Sequence, residues 1–335
     1  MSMDMKAWLQ RIAAEPVKKA FPVLSFPAVS LLGCTVAELI ADPERIAEGM
    51  AQVAARCDTA AAVSMMDLSV EAEAFGSRVH ISDDEVPTVV GAIADTPEAA
   101  EALSVPAVGA GRTGRYVEAI RLAAERITDR PVFAGVIGPF SLAGRLMDVT
   151  EIMVNCYDEP EMVHTVLRKA TDFLIDYIRA YRAVGAHGVM MAEPLTGLLS
   201  PALAEEFSEP YVREIVEAVQ DDEFLLIYHN CGNNTVRMLP SILRLGAAAY
   251  HFGNAVSMEE VLAGVPEDTL VMGNLDPAAL FRNGTPEDVR RATEALLAAC
   301  GTRRNFVPSS GCDIPPASHW ENIDAFFRAV AAFYA

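Results

Sequence analysis

The stretch FLLIYHNCG, residues 224–232, decides how the rest of the sequence is interpreted. Five apolar or aromatic residues lead into His229, and Cys231 follows two positions later, just before Gly232. A short apolar run of this kind is typical of a buried strand in a parallel sheet. Residues two apart on extended chain point to the same side, so His229 and Cys231 are expected to face one cavity while Asn230 turns away.

Seven other runs resemble this one, and helical patterns separate them. The eight predicted strands cover residues 22–33, 59–69, 131–139, 187–194, 224–232, 247–254, 269–277 and 305–313. Eight such strands with helical crossovers in 335 residues predict an α/β fold, a TIM (β/α)8 barrel, with a doubly wound open sheet as the alternative. We expect one domain over residues 1–335, with an extra N-terminal helix (1–16) and an insertion after strand two (about 76–129) that forms a lid over the barrel mouth.

Composition and charge narrow the class of protein. The formal net charge is −20, which disfavours binding to nucleic acid or to an anionic membrane. Apolar runs are too short for a membrane span, and the first residues lack the apolar core of a signal peptide, so a cytoplasmic protein is expected. Six cysteines in so long a chain do not indicate a disulfide framework. The sequence leaves open a homo-oligomer.

Polar side chains collect at the predicted carboxyl ends of the strands, where TIM barrels place their active sites. The residues concerned are Asp67, Glu193, His229, Cys231, Asn254, Asn274, Asp276, Cys312 and Asp313. The other two strand histidines, His187 and His251, fit core or supporting roles better than ligation. We expect Asn254 or Asp276 to orient His229, as a second partner does for most histidine ligands.

The pair His229 and Cys231, joined by Cys312 from the last strand, predicts a zinc site. Thiolate and imidazole ligands suit Zn²⁺ in tetrahedral geometry. Three protein ligands with one position open is the pattern of a catalytic site, whereas a structural site is closed by four. A neighbouring carboxylate such as Glu193 could fill the fourth position before substrate binds.

Several motifs resemble the uroporphyrinogen decarboxylase superfamily. They are GVIGPFSLAGRLM (135–147), YHNCG (228–232), MGNLDP (272–277), NGTPEDVR (283–290) and SSGCDIPPASHWENIDAF (309–326), and the resemblance extends from about residue 32 to the C-terminus. The His-x-Cys…Cys pattern is similar to the branch of corrinoid-dependent zinc methyltransferases, of the methylcobamide:coenzyme M methyltransferase type.

The same resemblance argues against the decarboxylase branch. It implies a strand-two aspartate, which Asp67 matches, and an arginine-rich N-terminal strand, which residues 22–33 lack. Arg145 stands where the family's tyrosine is expected, Pro194 where its serine is expected, and Cys312 where its histidine is expected. Most of the features that hold a porphyrinogen are therefore missing.

For the methyltransferase branch the resemblance implies Zn²⁺ and a corrinoid (cobalamin) carried by a separate partner protein. The zinc-bound thiolate of the acceptor would attack the methyl group of methyl-Co(III) corrinoid and leave Co(I). Asp67 and Glu193 are the expected catalytic carboxylates, and Asn254, Asn274, Asp276 and Arg145 the expected substrate-binding residues. Arg112, Arg115 and Arg145 are candidates for an anionic acceptor by location, and the acceptor is a thiol, such as coenzyme M, or a folate. A metal-free lyase centred on Asp67 and a non-catalytic corrinoid-protein partner remain the alternatives.

Overall fold

Seven parallel strands form one curled sheet in the computed structural model of the chain, which describes residues 3–335. The strands are β1 (Ala62–Val63), β4 (Val132–Ile137), β5 (Gly188–Ala192), β6 (Leu225–Asn230), β7 (Ala249–Phe252), β8 (Val271–Leu275) and β9 (Phe306–Ser310). Their order in the sheet follows their order in the sequence. A doubly wound sheet reverses its strand order at a switch point, so the sequential order excludes that alternative.

The first predicted strand, 22–33, is wrong: residues 22–25 belong to no strand, and Ala28–Leu32 is a helix. The segment still runs between the two edge strands. The Phe21 N–H donates to the Pro308 carbonyl (2.9 Å), and the Ser25 hydroxyl donates to the Val63 carbonyl (2.7 Å). Neither Pro22 nor Pro308 has an N–H to donate, and a regular ladder between these segments is therefore interrupted.

Side chains alternate between the two faces of the sheet and build two separate cores. The concave face carries a cluster that includes Met190, Ile227, Ala249, Met272 and Val307. The other face packs against the helices through the residues in between. This alternation continues along β6, so that His229 follows Leu225 and Ile227 on the concave side.

Helices connect the strands and cover the outside of the sheet. Within residues 3–335 they are α1 (Met5–Ala14), α2 (Ala28–Leu32), α3 (Val36–Ala41), α4 (Pro43–Arg56), α5 (Val70–Ala74), α6 (Pro97–Ala102), α7 (Thr113–Arg126), α8 (Pro139–Met147), α9 (Val149–Asp158), α10 (Pro160–Ala183), α11 (Pro201–Phe207), α12 (Glu209–Val219), α13 (Thr235–Arg244), α14 (Met258–Gly264), α15 (Pro286–Cys300) and α16 (Trp320–Tyr334), with a 3₁₀ turn at Leu195–Leu198 and a π turn at Pro277–Arg282. None of the described helices combines the length and the apolar character that crossing a membrane requires.

The N-terminal helix packs on the end of the sheet opposite to the predicted site. Helix α1 buries Met5, Trp8 and Ile12 in the concave-face cluster. The Lys18 ammonium then donates to the Ile12 and Ala13 carbonyls (both 2.8 Å) and fixes the end of α1. Of the helix predicted over 1–16, the structure shows Met5–Ala14. Residues 1 and 2 lie outside the described part of the chain.

The segment predicted as an insertion contains two different parts. Residues 76–112 carry an antiparallel hairpin, β2 (Arg78–His80) and β3 (Thr88–Val90), followed by α6. The second part is α7, which packs against α4 and leads into β4 as an ordinary crossover helix. Only the first part is therefore additional to the alternation of strands and crossover helices.

Candidate metal centre

An imidazole and two thiols meet at the carboxyl ends of β6 and β9. His229 is the fifth residue of β6, Cys231 directly follows that strand, and Cys312 follows β9 by two positions. One ligand atom from each of the three residues lies within 4.8 Å of the other two. His229 is buried and both cysteines are partly buried. The structure thus brings together all three residues that the sequence proposed as ligands.

Glycines make room for this arrangement. A Cβ on Gly253 would lie 2.4 Å from the Cβ of Cys231, so no larger residue fits at the end of β7. The turn after Cys231 is held by Asn230, whose side-chain oxygen accepts from the Gly232 N–H (3.0 Å) and from the Thr235 hydroxyl (2.9 Å). Asn230 thus faces away from the thiols, as the alternation predicted, and stabilises the turn that presents Cys231.

A line of buried side chains fixes the far side of the His229 ring. Its Nδ1 lies 2.7 Å from Nδ1 of His251, which is the neighbouring residue in the register of β6 and β7. Nε2 of His251 lies 2.8 Å from the Ser309 hydroxyl, which donates to the Phe21 carbonyl (2.7 Å). Nε2 of His229 is buried and has no hydrogen-bond partner.

The expectation that Asn254 or Asp276 orients His229 is therefore wrong. The Asn254 amide donates to the Asp276 carboxylate (2.9 Å), and the other Asp276 oxygen caps the π turn at Ala278 and Ala279. His251 takes the orienting position because it faces the same side of the sheet as His229. The alternation in AYHF (249–252) indicates which face of the sheet His251 occupies, but not that it lies opposite His229.

The two thiols differ in acidity. The hydrogen bond from Cys312 lowers the pKa of the Cys231 thiol. The same contact, together with burial, raises the pKa of the Cys312 thiol to about 12. Cys231 is accordingly the first of the pair to ionise. Burial, and to a smaller extent the neighbouring His229 ring, hold the pKa of His251 well below its usual range, so the His251 imidazole is neutral at physiological pH.

Glu193 lies at the end of β5 but binds elsewhere. Its carboxyl group is completely buried and accepts from the Ser141 N–H at the start of α8 (3.1 Å) and from the Thr196 hydroxyl. Gly138 is required beside it, since a Cβ there would lie 2.0 Å from the Glu193 side chain. Burial raises the pKa of Glu193 to about 7. Glu193 is not in the cluster formed by the three ligand atoms, so the structure does not support it as a fourth ligand.

Asp67 lies at the end of the β1 segment inside a dense polar network. Its side chain is completely buried, forms an ion pair with Arg112, and accepts from the hydroxyls of Tyr116 (2.6 Å) and Ser69 (2.5 Å). Arg112 also donates to Glu73 (2.7 Å). Arg112 is thus committed to two carboxylates, and the expectation that it holds an anionic acceptor is wrong.

The remaining predicted residues lie around the same end of the sheet. The Asn274 amide donates to the carbonyls of Gly253 (2.9 Å) and Val256 (2.8 Å) and holds the loop after β7. Arg145 is half-buried on α8 and forms no ion pair with any of residues 3–335, and burial lowers the pKa of its guanidinium. Arg115 is exposed at the start of α7.

Known proteins with similar sequences include methyltransferases and decarboxylases. The family model described as uroporphyrinogen decarboxylase (URO-D) matches residues 22–333. A methylcobamide:CoM methyltransferase MtbA of Methanosarcina acetivorans is 30% identical over 235 residues, which cover 69% of this chain and 68% of that protein. A uroporphyrinogen decarboxylase of Coxiella burnetii is 28% identical over 302 residues, covering 87% and 82%.

Among solved structures, a methyltransferase from Methanosarcina mazei superposes with a TM-score of 0.86 at 23% identity, covering 100% of this chain and 99% of that one. The fold is therefore shared over the whole described length. The URO-D match covers nearly the entire chain, and relatives named as methyltransferases and as decarboxylases both occur. The chain belongs to the uroporphyrinogen decarboxylase family.

Proposed function

We propose that this chain is a zinc-dependent methyltransferase that moves a methyl group from a methylated corrinoid protein to a thiol of the coenzyme M type or a related acceptor. The observation that carries the proposal is the convergence of His229, Cys231 and Cys312. Relatives named methylcobamide:CoM methyltransferase support the choice of reaction.

The three side chains fit a zinc ion by their chemistry. One imidazole nitrogen and two sulfurs are the ligand types that zinc prefers, and three protein ligands are the usual number in a catalytic site. Nε2 of His229 is a buried nitrogen without a partner, which a metal would satisfy. His229 would bind through Nε2, and Cys231 and Cys312 through their sulfurs, with substrate in the remaining position.

Bound zinc would supply the activation of the acceptor thiol by lowering its pKa, so that the thiolate is present at neutral pH. The corrinoid would arrive on a separate protein and supply the methyl group. The residues of this chain provide position and charge: two thiolates place negative charge at the centre, and His229 holds the third corner. Substrate enters from the carboxyl ends of the strands, where both thiols are partly exposed.

The acceptor is expected to meet Arg145. A half-buried guanidinium without an acidic partner is costly unless a ligand supplies the anion, so Arg145 suits a negatively charged tail. We retain Asn254, Asn274 and Asp276 as substrate-binding residues of the rim, and Asp67 and Glu193 as carboxylates that shape the site through their partners. Thiol and folate acceptors both remain open.

We also infer that residues 20–25 close the seven-stranded sheet into the (β/α)8 barrel of one domain over residues 1–335. The hydrogen bonds of this segment to both edge strands support that closure. The hairpin of residues 76–112 would then cover part of the mouth. A barrel with an open mouth suits a large donor such as a corrinoid protein.

Metal analysis of protein purified without added zinc tests the proposal. We expect about one zinc per chain, lost in Cys312→Ala and His229→Ala because two ligands rarely retain the ion. Cys34→Ala is the matched control, since Cys34 is also a partly buried free thiol but lies outside the cluster. The same variants are then assayed for thiol-dependent demethylation of free methylcobalamin, followed by its absorbance.

The alternatives predict other results. Wild-type protein that contains no zinc and decarboxylates a porphyrinogen would overturn the proposal in favour of the metal-free lyase. Wild-type protein could instead contain zinc whose X-ray absorption spectrum stays the same when thiols are added, and show no methyl transfer. This result would indicate a structural zinc site in a non-catalytic partner protein.

A further inference from the structure

We infer that His251 and Ser309 are positioning residues that select which nitrogen of His229 faces the two thiols. The inference rests on the proposed zinc site, but the hydrogen bonds that carry it are properties of the chain alone. The three side chains and the Phe21 carbonyl form a single buried line with separations of 2.7, 2.8 and 2.7 Å.

The direction of each proton follows from the end of this line. The Phe21 carbonyl can only accept, so the Ser309 hydroxyl donates its one proton to it. The hydroxyl oxygen must then accept from Nε2–H of His251, which leaves Nδ1 of His251 as an acceptor. His229 therefore carries its proton on Nδ1 and donates it to His251. The lone pair of His229 Nε2 is left free, on the atom that is buried without a partner.

The opposite direction is unfavourable. If His251 donated from Nδ1, His229 would accept there and carry its proton on Nε2. That N–H would face the two sulfurs, which are weak acceptors, and His251 would have no proton left for the Ser309 oxygen. It would also point a proton at the position where a metal must bind. The observed partners thus favour one tautomer of each ring.

The line also ties together the strands that carry the ligands. His229 is on β6, His251 on β7, and Ser309 on β9, three residues before Cys312. All three side chains are buried, with exposures of 2%, 0% and 0%. The partner of a ligating histidine is often a carboxylate, which raises the basicity of the ring. A neutral imidazole in its place fixes the orientation without adding negative charge next to two thiolates.

Zinc affinity of matched variants tests the role. We expect His251→Leu to weaken zinc binding by about 10- to 100-fold, measured by competition with a chromophoric chelator. His251→Asn keeps an acceptor oxygen near the place of Nδ1 and should restore most of the affinity. Ser309→Ala should cause a smaller loss, because His251 can then adopt either tautomer. His187→Leu is the control: His187 is also a strand-edge histidine, but its Nδ1 accepts from Val132 N–H (3.1 Å) away from the site.

A second measurement needs no variant. Long-range nitrogen–proton NMR correlations of His229 in metal-free wild-type protein report its tautomer, and we expect the proton on Nδ1. A proton on Nε2, or an unchanged zinc affinity in a folded His251→Leu variant, would overturn the inference. Wild-type protein that binds no zinc would instead contradict the proposed function, while the NMR result would still decide whether the line of hydrogen bonds has the inferred direction.

Discussion

At the scale of single residues, several buried ionisable side chains lie around the site, but only some of them have atoms available to bind a metal. Nε2 of His229 has no hydrogen-bond partner, whereas the carboxylates of Asp67 and Glu193 accept hydrogen bonds from their neighbours. Burial raises the pKa of carboxyl groups that lack a cation, and Glu71 and Glu193 both reach about 7. The carboxyl group that does have a cation, Asp67, is bound to Arg112.

Asp67→Asn is expected to destabilise the fold by about 3 kcal/mol, because it leaves Arg112 buried with only Glu73 as counter-charge. In the wild type the charge of Asp67 offsets the effect of burial on the pKa of Arg112. In the variant this contribution is lost, but a guanidinium keeps its proton in proteins, so a buried positive charge remains with Glu73 as its partner. Urea unfolding monitored by circular dichroism measures the change. The control is Glu118→Gln, which removes a surface pair with Arg121 and should leave the midpoint unchanged. An equally small effect of Asp67→Asn would show that the buried pair contributes nothing net.

Glu71 should make stability depend on pH. Burial raises its pKa to about 7 from 4.5, and one of its carboxyl oxygens has no partner. The native state therefore holds a proton that the unfolded chain has already lost between these values. This contribution is complete below pH 4.5 and is lost as the pH rises through about 7, by about 3 kcal/mol at most.

Glu71→Gln should flatten the dependence of the unfolding free energy on pH between 5 and 8, since the amide keeps an acceptor for the Ile137 N–H (3.0 Å) and cannot ionise. Glu193→Gln should act in the same direction, because its pKa is raised to a similar value. Urea unfolding at several pH values gives both curves. A Glu71→Gln curve parallel to that of the wild type would contradict the assignment.

The convergence of His229, Cys231 and Cys312 could be predicted from the sequence, but the residue that supports His229 could not. His229 and Cys231 are two apart on one strand, so their common direction follows from local geometry. His251 lies on the next strand, and its position beside His229 depends on the register of β6 and β7. Register is set by packing across the whole sheet and is not visible in either strand alone. For the same reason, the sequence suggested Asn254 and Asp276, which are polar and lie near the site but bind each other.

At the scale of elements, seven of the eight predicted ranges each contain a strand of the parallel sheet, and each observed strand is shorter than its predicted range. The prediction of the first strand is wrong because it relied on the apolar pattern of residues 22–33, whereas the prolines in this segment prevent a regular ladder. The split of residues 76–129 was also not predictable from length. Helix α7 becomes a crossover helix because its buried face packs on α4, and only the hairpin part stands apart.

The hairpin is held at the rim by polar contacts. The Val36 N–H donates to the Asp83 carbonyl (2.8 Å), and Arg282 pairs with both oxygens of Glu85 (2.7 and 3.3 Å). Glu85→Gln should speed amide hydrogen exchange in residues 78–90 while the unfolding free energy changes by less than about 1 kcal/mol, because the pair is exposed. Hydrogen exchange followed by mass spectrometry measures this local effect.

Glu214→Gln is the matched control for the hairpin. It removes an exposed pair with Arg168 (2.6 Å) on the helical surface, and exchange in residues 78–90 should not change. Unchanged exchange in Glu85→Gln would mean that the backbone contact of Asp83 alone holds the hairpin. The ion pair would then have no part in any movement of the hairpin over the mouth.

At the scale of the whole molecule, the proposed metal site and the N-terminal helix lie at opposite ends of the sheet. The proposed ligands follow the carboxyl ends of β6 and β9, while α1 packs at the other end against the concave-face cluster. The two ends are separated by a layer of inward apolar side chains such as Met190, Ile227 and Met272. Changes at one end are therefore expected to leave the other largely intact.

Trp8→Ala tests this separation. The indole is 3% exposed, and its ring centroid lies 5.7 Å from that of Phe133 and 6.4 Å from that of Phe21. Its removal leaves a cavity and should cost about 3–5 kcal/mol of unfolding free energy. Trp320→Ala is the control: that ring is partly exposed, stacks under Arg56 and donates to the Ser30 hydroxyl (2.8 Å), so its loss should cost less. Zinc content per folded chain should be unchanged in both variants, and loss of zinc from Trp8→Ala at a temperature where it is folded would show that the two ends are coupled through the sheet.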